Sequence, residues 1–173
     1  MVKKIVLLLL LVWGQQYCFA QFTRAKLQAT GLTCALCSKA IHQALEKLPF
    51  VQKVSAQLKE SSFEIIIRPG ESVDLAQMRS AVEEAGFFIG ALYLTRAVEA
   101  PSLVSNVATK EGNSYLLPVG TVKAGGVQTF QVLNEHFLTE KAFLKLSNSS
   151  LGAQLKQAPT VMEGLPVFYL NGQ

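Results

Sequence analysis

From Phe22 to Leu94 the apolar positions switch repeatedly between a spacing of two and a spacing of three or four. Phe22 to Ala29 alternates, with Leu27 and Ala29 on one side, which predicts a first strand broken at Gly31. From Cys37 to Leu48 the residues Ile41, Leu45 and Leu48 recur at helical spacing, Ala44 widens the stripe, and Pro49 stops the helix. Val54, Ala56 and Leu58 alternate, Glu60-Ser61 supplies a tight turn, and Phe63, Ile65 and Ile67 alternate again, as in a hairpin with one buried face. Pro69-Gly70 ends it. Asp74 stands where it can cap a second helix, with Leu75, Met78 and Val82 on one face and Gly86 just past its end; a last strand runs from Phe87 to Leu94. The order is β-α-β-β-α-β. It predicts an α+β, ferredoxin-like domain over residues 21–96, with helices on one face of an antiparallel sheet. The apolar stripes are read as core, not as cofactor contacts.

Residues 97–106, with Pro101 and several small polar side chains, predict a linker. The pattern then changes. Tyr115 to Val119 and Val127 to Leu133 predict strands separated by a Gly125-Gly126 turn, Thr139 a cap for a helix through Leu146, Ser147 to Gly152 a loop, and Val167 to Leu170 a final strand. Residues 107–173 therefore predict a small β-rich unit with one short helix, possible as a partly open barrel. No catalytic motif, internal repeat or low-complexity segment is evident.

The N-terminus alters the arithmetic. Met1 to Lys4 is positive, Ile5 to Trp13 is an unbroken apolar run, and Cys18-Phe19-Ala20 offers a cleavage site before Gln21. This is the layout of a signal peptide over residues 1–20. The run is much shorter than the roughly 20 residues that span a bilayer, so no stable membrane insertion is expected after its removal. Export to a periplasm or the exterior is the expected localisation. The formal charge of +4 loses Lys3 and Lys4 and falls to +2, too little to argue for a nucleic-acid partner. Cys18 departs with the leader. Cys34 and Cys37 remain, too close together to staple a fold, and they read as a site.

The segment is Gly31-Leu32-Thr33-Cys34-Ala35-Leu36-Cys37, with Cys34 in the loop after the first strand and Cys37 in the first helical turn. Unpaired N–H groups and the positive helix end favour thiolates there. Two thiolates suit a soft d¹⁰ ion such as Cu(I), with Hg(II) sharing the preference. Zn(II), which wants four ligands, is less favoured, because no Asp or Glu lies between Gly31 and Leu45. His42 follows core residue Ile41 and is expected to point to solvent; His136 reads as a surface or packing histidine. Neither is assigned as a ligand.

With its flanks, this stretch resembles the heavy-metal-associated domain over residues 24–95, the fold of small copper chaperones, of modules of copper-pumping ATPases and of mercury-binding proteins. Gly31, Thr33, Cys34 and Cys37 match the family's Gly-Met-Thr-Cys-x-x-Cys signature, Ile41 and Leu45 match its helix, and Glu83 to Phe87 resembles the end of its second helix, whose aromatic lies near the metal loop. Leu32 departs from the usual methionine but fills much the same apolar space. The resemblance implies Cu(I) held by Cys34 and Cys37, and it stops near residue 96.

The expected function is a non-enzymatic, exported soft-metal-binding protein. It serves transfer, sequestration or resistance, and exchanges its ion with a donor or acceptor protein through thiolates. Two other readings remain: a thiol–disulfide protein using the same CxxC, and a sensor or binding protein whose main role lies in the C-terminal unit.

Overall fold

The structure is a computed structural model that describes residues 21–32, 35–98, 107–119 and 125–173. The signal-peptide segment, most of the expected linker, and Thr33 and Cys34 lie outside the described residues. The first part runs β1 (Phe22–Thr30), α1 (Ala35–Glu46), β2 (Val51–Gln57), β3 (Ser62–Ile67), α2 (Leu75–Glu84) and β4 (Phe88–Ala97). This is the expected β-α-β-β-α-β order. β1 lies between β3 and β4, antiparallel to both, and β2 pairs with β3.

The local signals act as their chemistry requires. Asp74 accepts a hydrogen bond from the Gln77 amide at 2.9 Å and so caps α2. At the other end the Gly86 amide reaches Glu83 O and the Phe87 amide reaches Val82 O, a Schellman closure with Gly86 at φ +87°. Ser61, at φ 47°, turns the β2–β3 hairpin after one 3-10 turn over Leu58–Glu60. Ile41 and Leu45 of α1 and Leu75, Met78 and Val82 of α2 are buried in the main core beneath the sheet.

The remainder comprises β5 (Thr109–Glu111), β6 (Ser114–Val119), β7 (Val127–Val132), α3 (Glu140–Ser147), α4 (Ser150–Leu155), β8 (Val161–Met162) and β9 (Leu165–Gly172). Thr139 caps α3, as expected, by accepting from the Ala142 amide at 3.3 Å. Two expectations need correction. There is no barrel among the described residues: the strands follow one open path, β2-β3-β1-β4-β7-β9-β6-β5. Within that path β9 lies between β6 and β7, parallel to β6 and antiparallel to β7. Finally, part of the expected loop is helical, since Ser149 caps α4 through the Gly152 amide at 3.1 Å.

The reason for the strand order is burial. Phe168 and Leu170 of β9 join the main core, whereas Val167 and Tyr169 join a second cluster with Leu146, Leu151 and Leu155 of the α3–α4 pair. Alternate residues of a strand face opposite ways, so α3 and α4 cover the face opposite α1 and α2. A strand apolar on both sides belongs in a sheet interior. The first part thus continues into the second through β4 and β7, which pair antiparallel from Tyr93 to Ala97. At this seam the buried Arg96 guanidinium lies 5.0 Å from the ring centroid of Phe22 and 5.5 Å from that of Phe130, a cation–π arrangement.

Candidate metal centre

β1 delivers the chain to Gly31, whose φ of +81° lies in the left-handed region that a side chain resists. Leu32 then turns inward and packs against the main core. This is the apolar floor expected of a leucine at that position. Phe87, fixed by the α2 closure, packs on the same core, and its Cδ1 would stand 3.9 Å from a Cβ added at Gly31. The aromatic expected near the loop is beside it.

Cys37 is the third residue of α1 and is half-buried, with Ser38 buried behind it and Leu36 exposed. The first turn of α1 carries no acidic residue to oppose a thiolate. Cys37 is disulfide-bonded in the structure, so the oxidised state is the one represented. The chain's other cysteines, Cys18 and Cys34, lie outside the described residues. Among the described residues no three His, Cys, Asp or Glu side chains gather in a way that could hold a metal.

His42 departs from its expected orientation. Its Nε2 lies 3.1 Å from the Val54 carbonyl and its Nδ1 3.3 Å from the Glu46 carboxylate. Nε2 thus reaches across to β2 and Nδ1 to the next turn of α1, so neither ring nitrogen is left to solvent alone. His136 is exposed, on the 3-10 turn Glu135–Phe137.

One neighbour of the loop was not legible beforehand. Beyond the end of β7, the edge of β4 is taken by the segment after that 3-10 turn: Ala91 bridges Leu138, and the Thr139 amide donates to Gly90 O at 3.1 Å. A Cβ at Gly90 would stand 2.8 Å from Thr30 Cγ2 and 3.4 Å from Thr139 Cγ2, so only glycine admits this approach without displacement. The C-terminal half therefore reaches the end of the sheet that carries the CxxC loop.

The fold defines a ferredoxin-like module with Cys37 in the first turn of its first helix. Residues 26–88 match the model of the heavy-metal-associated domain, and the chain carries that domain there. A probable copper-transporting ATPase, HMA5, of Arabidopsis thaliana is 31% identical over 65 residues, which cover 38% of this chain and 6% of the relative's own length. A solved copper-binding domain from HMA7, a P-type ATPase, is 29% identical, with 38% of this chain and 86% of that one covered and a TM-score of 0.34. The yeast copper transporter domain CCC2A is 23% identical, with 38% and 88% covered and a TM-score of 0.34.

Proposed function

We propose that this protein is an exported carrier of a soft metal ion, which holds one Cu(I) between Cys34 and Cys37 and passes it to a partner protein. The observation that carries this reading is a heavy-metal-associated domain whose Cys37 stands in the first turn of α1, beside a loop floored by Leu32 and Phe87. The helix start favours thiolate over thiol, and two thiolates satisfy a two-coordinate d¹⁰ ion. The Arabidopsis relative is named for copper transport, which favours Cu(I) over Hg(II). Zn(II) is the weakest candidate, since it wants four ligands. Transfer proceeds when a partner thiolate adds to the ion before a resident one leaves, so the ion is never free. The role is carriage, not catalysis, and the leader over residues 1–20 directs the chain out of the cytoplasm.

The disulfide at Cys37 favours a second reading, a thiol–disulfide exchange protein using the same pair. One experiment separates the two. Reduced protein comprising residues 21–173 is titrated anaerobically with Cu(I) against a chelator, beside Cys34→Ser and Cys37→Ser. One tightly held ion per chain, lost in either variant, supports the carrier. Retention of tight binding in the double variant overturns it, and disulfide exchange with a model dithiol in the absence of any metal uptake establishes the redox reading.

A further inference from the structure

We infer that the C-terminal half supplies one wall of the surface on which the metal-exchange partner docks, and that this partner presents an apolar side chain ringed by lysine or arginine. The inference rests on the carrier reading above. Its observation is a cleft of about 450 Å³ that begins at Thr30, next to Gly31 of the metal loop, and is closed on its far side by residues from beyond position 134.

The cleft has an apolar floor and an acidic rim. Phe88 opens it from the start of β4, and Leu138 and Phe143 line it from the segment before α3 and from α3 itself. Phe88 is 68% exposed, although it is a large aromatic side chain beside the site and opposite Thr30 in the β1–β4 pairing. Leu36, which precedes Cys37 in the first turn of α1, is 77% exposed. Large apolar side chains left exposed at and beside a functional loop mark an interaction surface. Glu83, Glu135 and Glu140 stand around the cleft, and His136 is the only other titratable side chain that lines it. Arg79 lies 3.7 Å from the Glu83 carboxylate; no ion pair of 4.0 Å or less joins Glu135 or Glu140 to a described cation. Such a rim attracts a basic face and repels an acidic one, which is how charge selects among partners of similar shape.

Docking here would bring a partner's own thiolates over the CxxC loop, because the cleft and the loop share the Thr30–Gly31 corner. The contact of Gly90 with Thr30 and Thr139 fixes that corner to the C-terminal half. The second half thereby acquires a role in choosing the partner, while the metal is left to the first.

The test uses reduced protein comprising residues 21–173 and two hexapeptide probes, one with phenylalanine and leucine between paired lysines, the other with glutamates in place of the lysines. The lysine peptide is expected to shift the backbone resonances of Phe88, Glu135, Glu140 and Phe143, and the glutamate peptide to leave them unmoved. E135K/E140K should weaken the lysine peptide by about tenfold or more and leave the stoichiometry of bound Cu(I) unchanged. Equal binding of both peptides, or shifts confined to another surface, would overturn the proposal. So would a concentration-dependent dimer that buries Phe88, since the occupant would then be a second copy of this chain. If Cu(I) binds but the lysine peptide does not, the docking surface fails and the carrier survives; if the peptide binds and Cu(I) does not, it is the carrier reading that fails.

Discussion

Leu94 of β4 stands opposite Phe130 of β7 in the antiparallel register, and both side chains are completely buried in one core. This pair lies on the seam between the heavy-metal-associated domain and the C-terminal half, so neither half completes its core alone. Phe130 also meets Phe22 edge-on at 6.4 Å, which ties the seam to the first strand. Phe130→Ala should therefore destabilise the protein by about 3–5 kcal/mol, the usual cost of emptying a phenylalanine site. Denaturant unfolding followed by far-UV circular dichroism should keep a single transition that moves to lower denaturant. Two separate transitions, with the residues of β1 to α2 unaffected, would show that the halves are energetically independent.

Glycine at position 31 is a conformational requirement of the loop. Gly31→Ala places a Cβ at φ +81°, which costs about 1–2 kcal/mol. The Phe87 ring leaves room for that Cβ at 3.9 Å, so the penalty is backbone strain and not collision. The variant should fold and melt at a lower temperature; if the carrier reading holds, it should also hold Cu(I) less tightly, because relief of the strain shifts the start of the loop. An unchanged competition titration would show that the loop tolerates the substitution without moving its ligands.

What was legible in the sequence is local chemistry, and what was not is pairing at a distance. The stripe Ile41–Leu45, the cap at Asp74 and the turn at Gly86 each announce an element within a few residues, and together they specify the ferredoxin-like order. The CxxC loop was equally plain as a candidate site, as were the neighbouring Leu32 and Phe87. By contrast, nothing near Val167 to Leu170 says that this strand inserts between β6 and β7. Its apolar run says only that both faces are covered. The helix Ser150–Leu155 is six residues long, too short to repeat an apolar stripe, and so it resembled a loop. The wall beside the metal loop joins Thr30, Gly90 and Thr139, residues far apart in the chain and linked only by the fold.

Glu111 provides a prediction about pH. Burial pushes its carboxyl above the ordinary carboxylate range, against the opposing pull of a hydrogen bond from the Val73 amide and of the Arg96 charge. Burial likewise lowers Arg96, which Glu111 partly offsets. A carboxyl raised in the folded state binds its proton more tightly there than in the unfolded chain. Its contribution to stability is therefore full below the ordinary carboxylate range and is lost as pH rises through the folded value. Glu111→Gln should flatten the decline in stability over that interval. Chemical denaturation at a series of pH values checks this, and an identical slope in the variant would place the titrating group elsewhere.

A disulfide at Cys37 stands in competition with the proposed metal site, because a cysteine sulfur that is oxidised cannot coordinate as a thiolate. If the carrier reading holds, Cu(I) and oxidant compete for the same sulfurs. Preloading the reduced protein with Cu(I) should slow disulfide formation, and prior oxidation should block uptake until a dithiol is added. The competition has a direction in the cell, since an oxidising compartment drives an unloaded pair towards the disulfide. The exported protein should then be metal-bound or oxidised, with little free dithiol. Alkylation of thiols in protein taken directly from the exporting cell, with and without added copper, measures the partition. Copper should increase the fraction that becomes alkylated only after the metal is stripped away. If the pair is instead wholly oxidised at every copper level, and reduction neither permits metal uptake nor alters function, the disulfide is a permanent brace for the loop and the carrier reading fails in the cell.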